Sequence, residues 1–414
     1  MRQIIRGVRL RGREGTWDVA LDGDRIAAVE QSIAASGERE YDGAGCLLSP
    51  GFVNGHVHLD KCMLGDVMRP NESQTLQEAI QVTWDHKRGY TPDEIVARAS
   101  PVVDQGIVNG TTAVRAFADV DTIGGTVPVE GLLELRRRFE GETHFEVVAF
   151  PQEAIVRQPG TDRLMEQCVA LGADVVGGLP WYEHTDAAAR DHVDFCLELA
   201  ARSGKDVHML VDDTDDPYSR TLEYLAVRTA EEGLQERVSA SHCGALAAYD
   251  HSHAEKVISL VREAGITIFS NTQISLVMDG RNDRGLIRRG TTRIKELLAA
   301  GVNVASAQDD VNDPYYPFGK SDQLEVGQYA AHVGHLTYPS ELETVFDMVT
   351  TNPARALRLP DYGVEPGSRA DLVLIEAPNV RDAFRLLPPR RAVFYGGRLV
   401  AESSATSTRH RADG

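Results

Sequence analysis

A chain of 414 residues with 43 basic and 62 acidic side chains carries a formal net charge of −19. Such a field repels polyanions and argues against nucleic acid or anionic membrane surfaces as partners. No run reaches the roughly 20 apolar residues of a membrane span, and the first residues lack the apolar core of a secretory signal, so a cytoplasmic protein is expected. The five cysteines (Cys46, Cys62, Cys168, Cys196 and Cys243) are scattered without a CxxC spacing, which reads as reduced thiols. The length exceeds the roughly 250 residues of a minimal (β/α)8 barrel and leaves room for a second, smaller domain.

In chain order, residues 1 to about 50 alternate short β-like runs with turns. The runs are 4–10, 17–21 and 25–29, the last two joined by the Asp22-Gly23-Asp24 turn, a hairpin pattern. From 51 to 358, strand-like runs alternate with longer amphipathic segments, as in βα units. From Gly363 the chain is β-rich again, with runs at 370–375, 391–395 and 398–400. This predicts a small β-sandwich domain from 1–50 and 359–404, a barrel over 51–358, and a loose polar tail over 405–414.

Within the barrel block, Gly51-Phe52-Val53-Asn54-Gly55-His56-Val57-His58-Leu59-Asp60-Lys61 ends an apolar run with two histidines at i and i+2. On a strand these share a face and resemble one arm of a metal site. His208 closes the run 205–210, and His242 closes 238–242 ahead of Cys243-Gly244. Asp309, with Asp310 beside it, follows the run 302–307. Helix-length segments intervene, among them 186–203 with apolar spacing and Gly204 as a stop, and 291–300 stopped by Gly301. Polar groups at the ends of several successive strands mark the catalytic face of a barrel. The blander alternatives are a helix cap for Asp309 and a satisfied core histidine for His242, and the crowding of Asp310, Asp313 and Pro314 in the same loop weighs against the first.

These residues, in this order, resemble the amidohydrolase superfamily, and within it the cytosine deaminase group. The likeness extends to Ala149-Phe150-Pro151-Gln152-Glu153, to the stretch 288–296, to Gln308-Asp309-Asp310-Val311-Asn312-Asp313-Pro314-Tyr315-Tyr316-Pro317, and to the stretch 359–364. The resemblance implies that His56, His58, His208 and Asp309 bind one divalent metal ion, zinc or iron, which makes hydroxide available from a bound water near neutral pH. It gives Asp309 the role of proton shuttle and His242 that of partner to the hydroxide or oxyanion. It points to Gln152, Asp310 and Tyr315 as contacts to a small-molecule substrate, and to a homo-oligomer. Lys61 departs from the group: it either holds an anionic part of the substrate or neutralises a neighbouring carboxylate.

A further departure lies three residues after His208, where pyrimidine deaminases of the group carry a proton-transferring glutamate and this chain has Val211. Asp212 and Asp213 follow, but a shift of one residue at a strand end turns a side chain to the opposite face. Phe117, Trp181 and Gln308 stand where the group tends to show histidine. The leading expectation is therefore hydrolysis of a non-peptide C–N bond in a small cyclic or heteroaromatic molecule, whose polarised carbonyl needs no ring-nitrogen protonation. An alternative is deamination of a pyrimidine- or triazine-like ring with release of ammonia. A third reading is an inactive homologue that binds metal or ligand without turnover. A flat pocket near Phe117, Trp181, Tyr182 and Tyr315 is expected.

Overall fold

The computed structural model describes residues 2–73, 76–280, 283–285 and 291–410. Two four-stranded sheets are built from the chain ends. One contains β1 (Arg2–Val8), β2 (Trp17–Asp22), β3 (Arg25–Glu30) and β4 (Arg39–Asp42), in the order β3-β2-β1-β4. The barrel strands follow β5 (Leu47–Pro50) and are β6 (Phe52–His58), β7 (Thr111–Asp119), β8 (His144–Phe150), β9 (Val175–Gly178), β10 (Asp206–Val211), β11 (Val238–His242), β12 (Thr267–Phe269) and β13 (Val304–Ala305). The second end sheet joins β5 to β14 (Leu372–Ile375), β15 (Arg390–Tyr395) and β16 (Arg398–Glu402), in the order β16-β15-β14-β5. Leu47 lies opposite Ile375 in that sheet, so the two halves of the sequence meet there. Ile5, Val19, Leu21, Leu48, Leu372 and Phe394 form a common apolar core. Two of these strands, β4 and β5, had no separate signal in the sequence.

β6 to β13 pair in sequence order, all parallel, as the alternation of strands and helices predicts. Both faces of these strands are covered, so all nine residues of β7 and all seven of β6 are buried. Outward residues such as Val207, Met209 and Val238 pack with the surrounding helices. Inward residues form separate small clusters, one of which joins Phe117, Val148, Phe150 and Leu210. The ring closes through a single parallel bridge between Val57 and Asp309. Asp309 N donates to His56 O at 2.8 Å, and His58 N donates to Asp309 O at 3.0 Å.

The expected helix 186–203 runs from Asp186 to Ser203, with Thr185 Oγ1 capping Ala188 N and Gly204 left-handed at its end. The expected helix 291–300 is shorter, Ile294–Ala299. Arg293 cannot join it, because its φ/ψ of −75°/66° is not helical and its guanidinium is committed to Leu246 O and Tyr249 O. Residues 288–290 of the resembling stretch lie outside the described residues. The tail is exposed and irregular over 405–410, and 411–414 lie outside the described residues.

Gly177 shows how tightly the inner ring is closed. A Cβ there would stand 2.6 Å from Ala149 O and 2.9 Å from Phe150 Cα, both backbone atoms that cannot swing aside. Gly177→Ala is expected to cost about 1–3 kcal/mol. Each kcal/mol lowers Tm by about 2–4 °C in a chain of this kind, which a thermal melt against wild type checks.

Candidate active site

The expected site residues sit at the carboxyl ends of barrel strands or in the loops beyond them, except His208, which lies within its strand. His56 and His58 end β6, His208 is the third residue of β10, His242 ends β11, and Asp309 follows β13. Lys61, Gln152, Asp310 and Tyr315 lie in the loops after β6, β8 and β13. Asp212 (φ 48°), His242 (φ 67°), Cys243 (φ 53°) and Asp309 (φ 65°) are left-handed. Such non-glycine conformations cost on the order of 1 kcal/mol or more each. They break strand alternation where a side chain has to be aimed at the barrel axis.

The donor atoms converge. His56 Nε2 lies 3.2 Å from His58 Nε2, and Asp309 Oδ1 lies 3.6 Å and 3.5 Å from these two nitrogens. Around one ion with bonds of about 2.1 Å, tetrahedral ligands stand about 3.4 Å apart, so this spacing fits a single small cation. The His208 ring is 5.1 Å from that of His56, and its buried Nε2 has no protein partner. Its other side faces Arg115, whose Nη1 is 3.5 Å from Nδ1. Burial and neighbouring cationic or imidazole groups hold His56, His58 and His208 well below the usual histidine range, which leaves them neutral and able to ligate.

His242 differs. Its Nε2 is 3.2 Å from Asp309 Oδ2, and its Nδ1 is 3.2 Å from Asp213 Oδ1. Burial disfavours its charged form, but the two carboxylates outweigh this and raise it to about 9. Burial, then repulsion from Asp310, raises Asp309 to about 8, and Asn271 Nδ2 donates to its Oδ2 at 2.8 Å. A divalent cation at the convergent donors reverses the sign for Asp309, because its charge dominates locally.

Above this centre opens a cavity of about 590 Å³. His58, His242, Asp309 and Asp310 form its floor, with Lys61, Gln152 and Tyr315 on one side and Leu179, Trp181, Tyr182 and Asp213 on the other. His192, accepting from Leu179 N at 2.9 Å and standing 2.8 Å from Glu183, fixes the loop that carries the aromatic wall. Lys61 Nζ donates to Asp119 Oδ1 at 3.0 Å and to Gln152 Oε1 at 2.7 Å. Both readings of Lys61 thus meet in one residue, which neutralises a carboxylate and lines the cavity. The ammonium sits 5.8 Å from the Tyr315 ring centre.

Three readings of the departures change. Phe117 is wholly buried and stacks on His56 at 3.9 Å and 22°, so it supports the floor and does not touch the cavity. Gln308 turns away from the cavity to accept from Ser321 N and donate to Asp310 O. Val211 packs outward among the helices, while Asp212 caps Thr221 and Leu222. It is Asp213 that faces the cavity. Alternation along the strand left this open, because Asp212 is left-handed. Lys87, Asp119 and Asn271, also at strand ends or on the first helix, carried no distinct local signal apart from the position of Asp119 at the end of its strand.

A family model described as the amidohydrolase family matches residues 109–401. The chain superposes on 5-methylcytosine deaminase from Klebsiella pneumoniae with a TM-score of 0.94 and 33% identity, covering 98% of this chain and 99% of that one. It superposes on N-isopropylammelide isopropylaminohydrolase from Burkholderia multivorans with a TM-score of 0.86 and 29% identity, covering 97% and 98%. It is also 27% identical over 412 residues to N-isopropylammelide isopropyl amidohydrolase of a Pseudomonas species, covering 96% of this chain and 97% of the other.

Two outcomes are expected. His208→Ala or Asp309→Ala should weaken metal binding by more than the roughly 10–100-fold that loss of a supporting residue costs, read as metal content after dialysis against a graded chelator. Val211→Glu should bring no pyrimidine deamination. It should lower stability by about 3 kcal/mol or more, since it buries a carboxylate away from the cavity, which urea unfolding checks.

Proposed function

The chain belongs to the amidohydrolase family and is a hydrolase of carbon–nitrogen bonds other than peptide bonds; from that premise we propose that it removes an exocyclic amine from a small nitrogen heterocycle bearing ring carbonyl groups. The observation that carries this reading is the Lys61–Gln152 contact. An ammonium has three donors and no acceptor, so Gln152 must turn its oxygen to Lys61. Its amide nitrogen is what remains for the substrate. Lys61 and Gln152 therefore turn N–H groups toward the cavity, and the complement of that pair is an edge of acceptors, such as adjacent ring carbonyls or a deprotonated imide. A ring edge that presents its own N–H to that pair meets donors there and forgoes a hydrogen bond worth about 0.5–1.5 kcal/mol.

His56, His58, His208 and Asp309 would hold one divalent ion, and three imidazoles with a carboxylate suit zinc or iron. That ion, when bound, would lower the pKa of a water toward about 7. Asp309, next to His242 and steadied by Asn271, is placed to take the water proton and return it to the departing nitrogen. His242, held between Asp213 and Asp309, is placed to hydrogen-bond the attacking oxygen as it bonds to the ring carbon, while the C=N electron pair moves to the ring nitrogen, which takes up the second water proton. A C–O bond forms, the exocyclic C–N bond breaks, and the products are a ring carbonyl and a free amine. Trp181, Tyr182 and Tyr315 give the flat ring apolar surfaces to lie against.

Loss of ammonia from a pyrimidine ring is the second reading. Asp213 favours it, because its carboxyl faces the cavity next to the position of the absent glutamate.

Metal-loaded protein incubated with N-isopropylammelide, cytosine and a cyclic ureide separates these readings by product mass. The expected result is release of the alkylamine from N-isopropylammelide with a carbonyl left in its place. Ring opening with gain of a whole water, or turnover of cytosine alone, overturns the proposal. Lys61→Met should raise KM for the carbonyl-edged substrate about 10–100-fold, the cost of losing a hydrogen bond to a charged group.

A further inference from the structure

Beneath the Lys61–Gln152 wall lies a second buried lysine that the reaction does not use. Lys87 is the last residue of α1 (Leu76–Lys87), and its side chain has no exposed surface. Its Nζ donates to Asp119 Oδ2 at 2.5 Å and to Asp121 Oδ2 at 2.7 Å. Asp119 is thus shared: Oδ1 holds Lys61 and Oδ2 holds Lys87. Asp121 is committed on its other side, since Oδ1 accepts from Ile123 N and Gly124 N at 2.8 Å each. The Lys87 stem lies on Gly124, where a Cβ would stand 3.1 Å from Cγ and Cδ. One turn earlier, Trp84 Nε1 donates to Glu153 Oε1 at 2.6 Å, tying the same face of α1 to the residue after Gln152.

We propose that Lys87 is a positioning residue of the cavity: through Asp119 it holds the Lys61 ammonium at Gln152. This rests on the reading above, in which that pair recognises the substrate. The argument is one of charge balance. Asp119 and Asp121 are two buried carboxylates, and two buried ammoniums answer them. Asp60 pairs with neither ammonium: its Oδ2 is committed to Asp119 N at 2.9 Å. Without Lys87, Lys61 is the remaining ammonium among the described residues that pairs with Asp119. A buried charge moves to its counter-charges before it serves a neutral amide. Lys61 then retracts from Gln152, whose oxygen is released to the cavity. Lys87 touches no substrate and acts only through this chain of contacts.

The test has two arms. Crystal structures of Lys87→Met, and of the charge-balanced double variant Lys87→Met/Asp121→Asn should the first not fold, read the placement directly and need no substrate. The expected result is Lys61 Nζ withdrawn beyond hydrogen-bond reach of Gln152 Oε1. Retention of that contact overturns the proposal. The second arm uses N-isopropylammelide as probe in a double-mutant cycle. Lys87→Met should raise KM about tenfold, within the range for a lost charged hydrogen bond, with kcat little changed. The Lys61→Met/Lys87→Met variant should be no worse than Lys61→Met alone. Additive effects on KM would mean that Lys87 does not act through Lys61. If wild type does not turn over the probe, the substrate reading fails while the first arm still decides the placement.

Discussion

The bridge between Val57 and Asp309 is the contact on which the rest depends. Eight parallel strands form a ring only if the last meets the first, and here β13 is too short to pair with β6 along its length. Closure instead uses the backbone of Asp309, which donates to His56 O and accepts from His58 N. The residue that shuts the barrel is thereby locked between the two histidines whose ring nitrogens face its carboxylate. Structural closure and convergence of donor atoms are one interaction. The left-handed backbone of Asp309 is the strain that this double duty imposes.

Around that point the interior is divided by charge. The floor gathers the acids Asp309 and Asp310, and His242 stands between Asp309 and Asp213 of the side wall. The wall gathers cations, Lys61 and Lys87, balanced against Asp119 and Asp121. Phe117, stacked on His56, and Phe150, edge-on to His58, are buried against the histidines, and this low-dielectric packing keeps each interaction strong. A chain with a large negative charge would repel an anionic ring from bulk solvent. The local cationic wall offsets this only at close range, within about a Debye length of 8–10 Å.

What could be read from the sequence followed the range of the forces involved. His56-x-His58, and His208, His242 and Asp309 at strand ends, were legible because a strand repeats every two residues and helix-length segments separate the runs. Helix 186–203 was legible because its cap and its terminal glycine are local. Helix 291–300 was overextended because Arg293 is drawn off by carbonyls more than 40 residues away. The direction of Asp213 was left open by alternation, since it depends on the left-handed turn at Asp212, whose carboxylate caps Thr221 and Leu222. Lys87 was invisible: a lysine closing a helix reads as solvated, and only the tertiary structure brings Asp119 and Asp121 to it.

These two ranges of interaction separate reaction from recognition. The hydrolytic centre is fixed by backbone closure and strand ends, so it survives changes in the loops. Recognition rests on side chains that reach one another across loops, Lys61 to Gln152 and, below, Lys87 to Asp119. Val211 takes no part in the closure, whereas Lys61 fixes which end of the Gln152 amide is turned to it. The same barrel can therefore keep its chemistry while the hydrogen-bonding pattern of the accepted ring is rewritten by a single buried cation. The cost of that cation is met by carboxylates already in place at the end of β7.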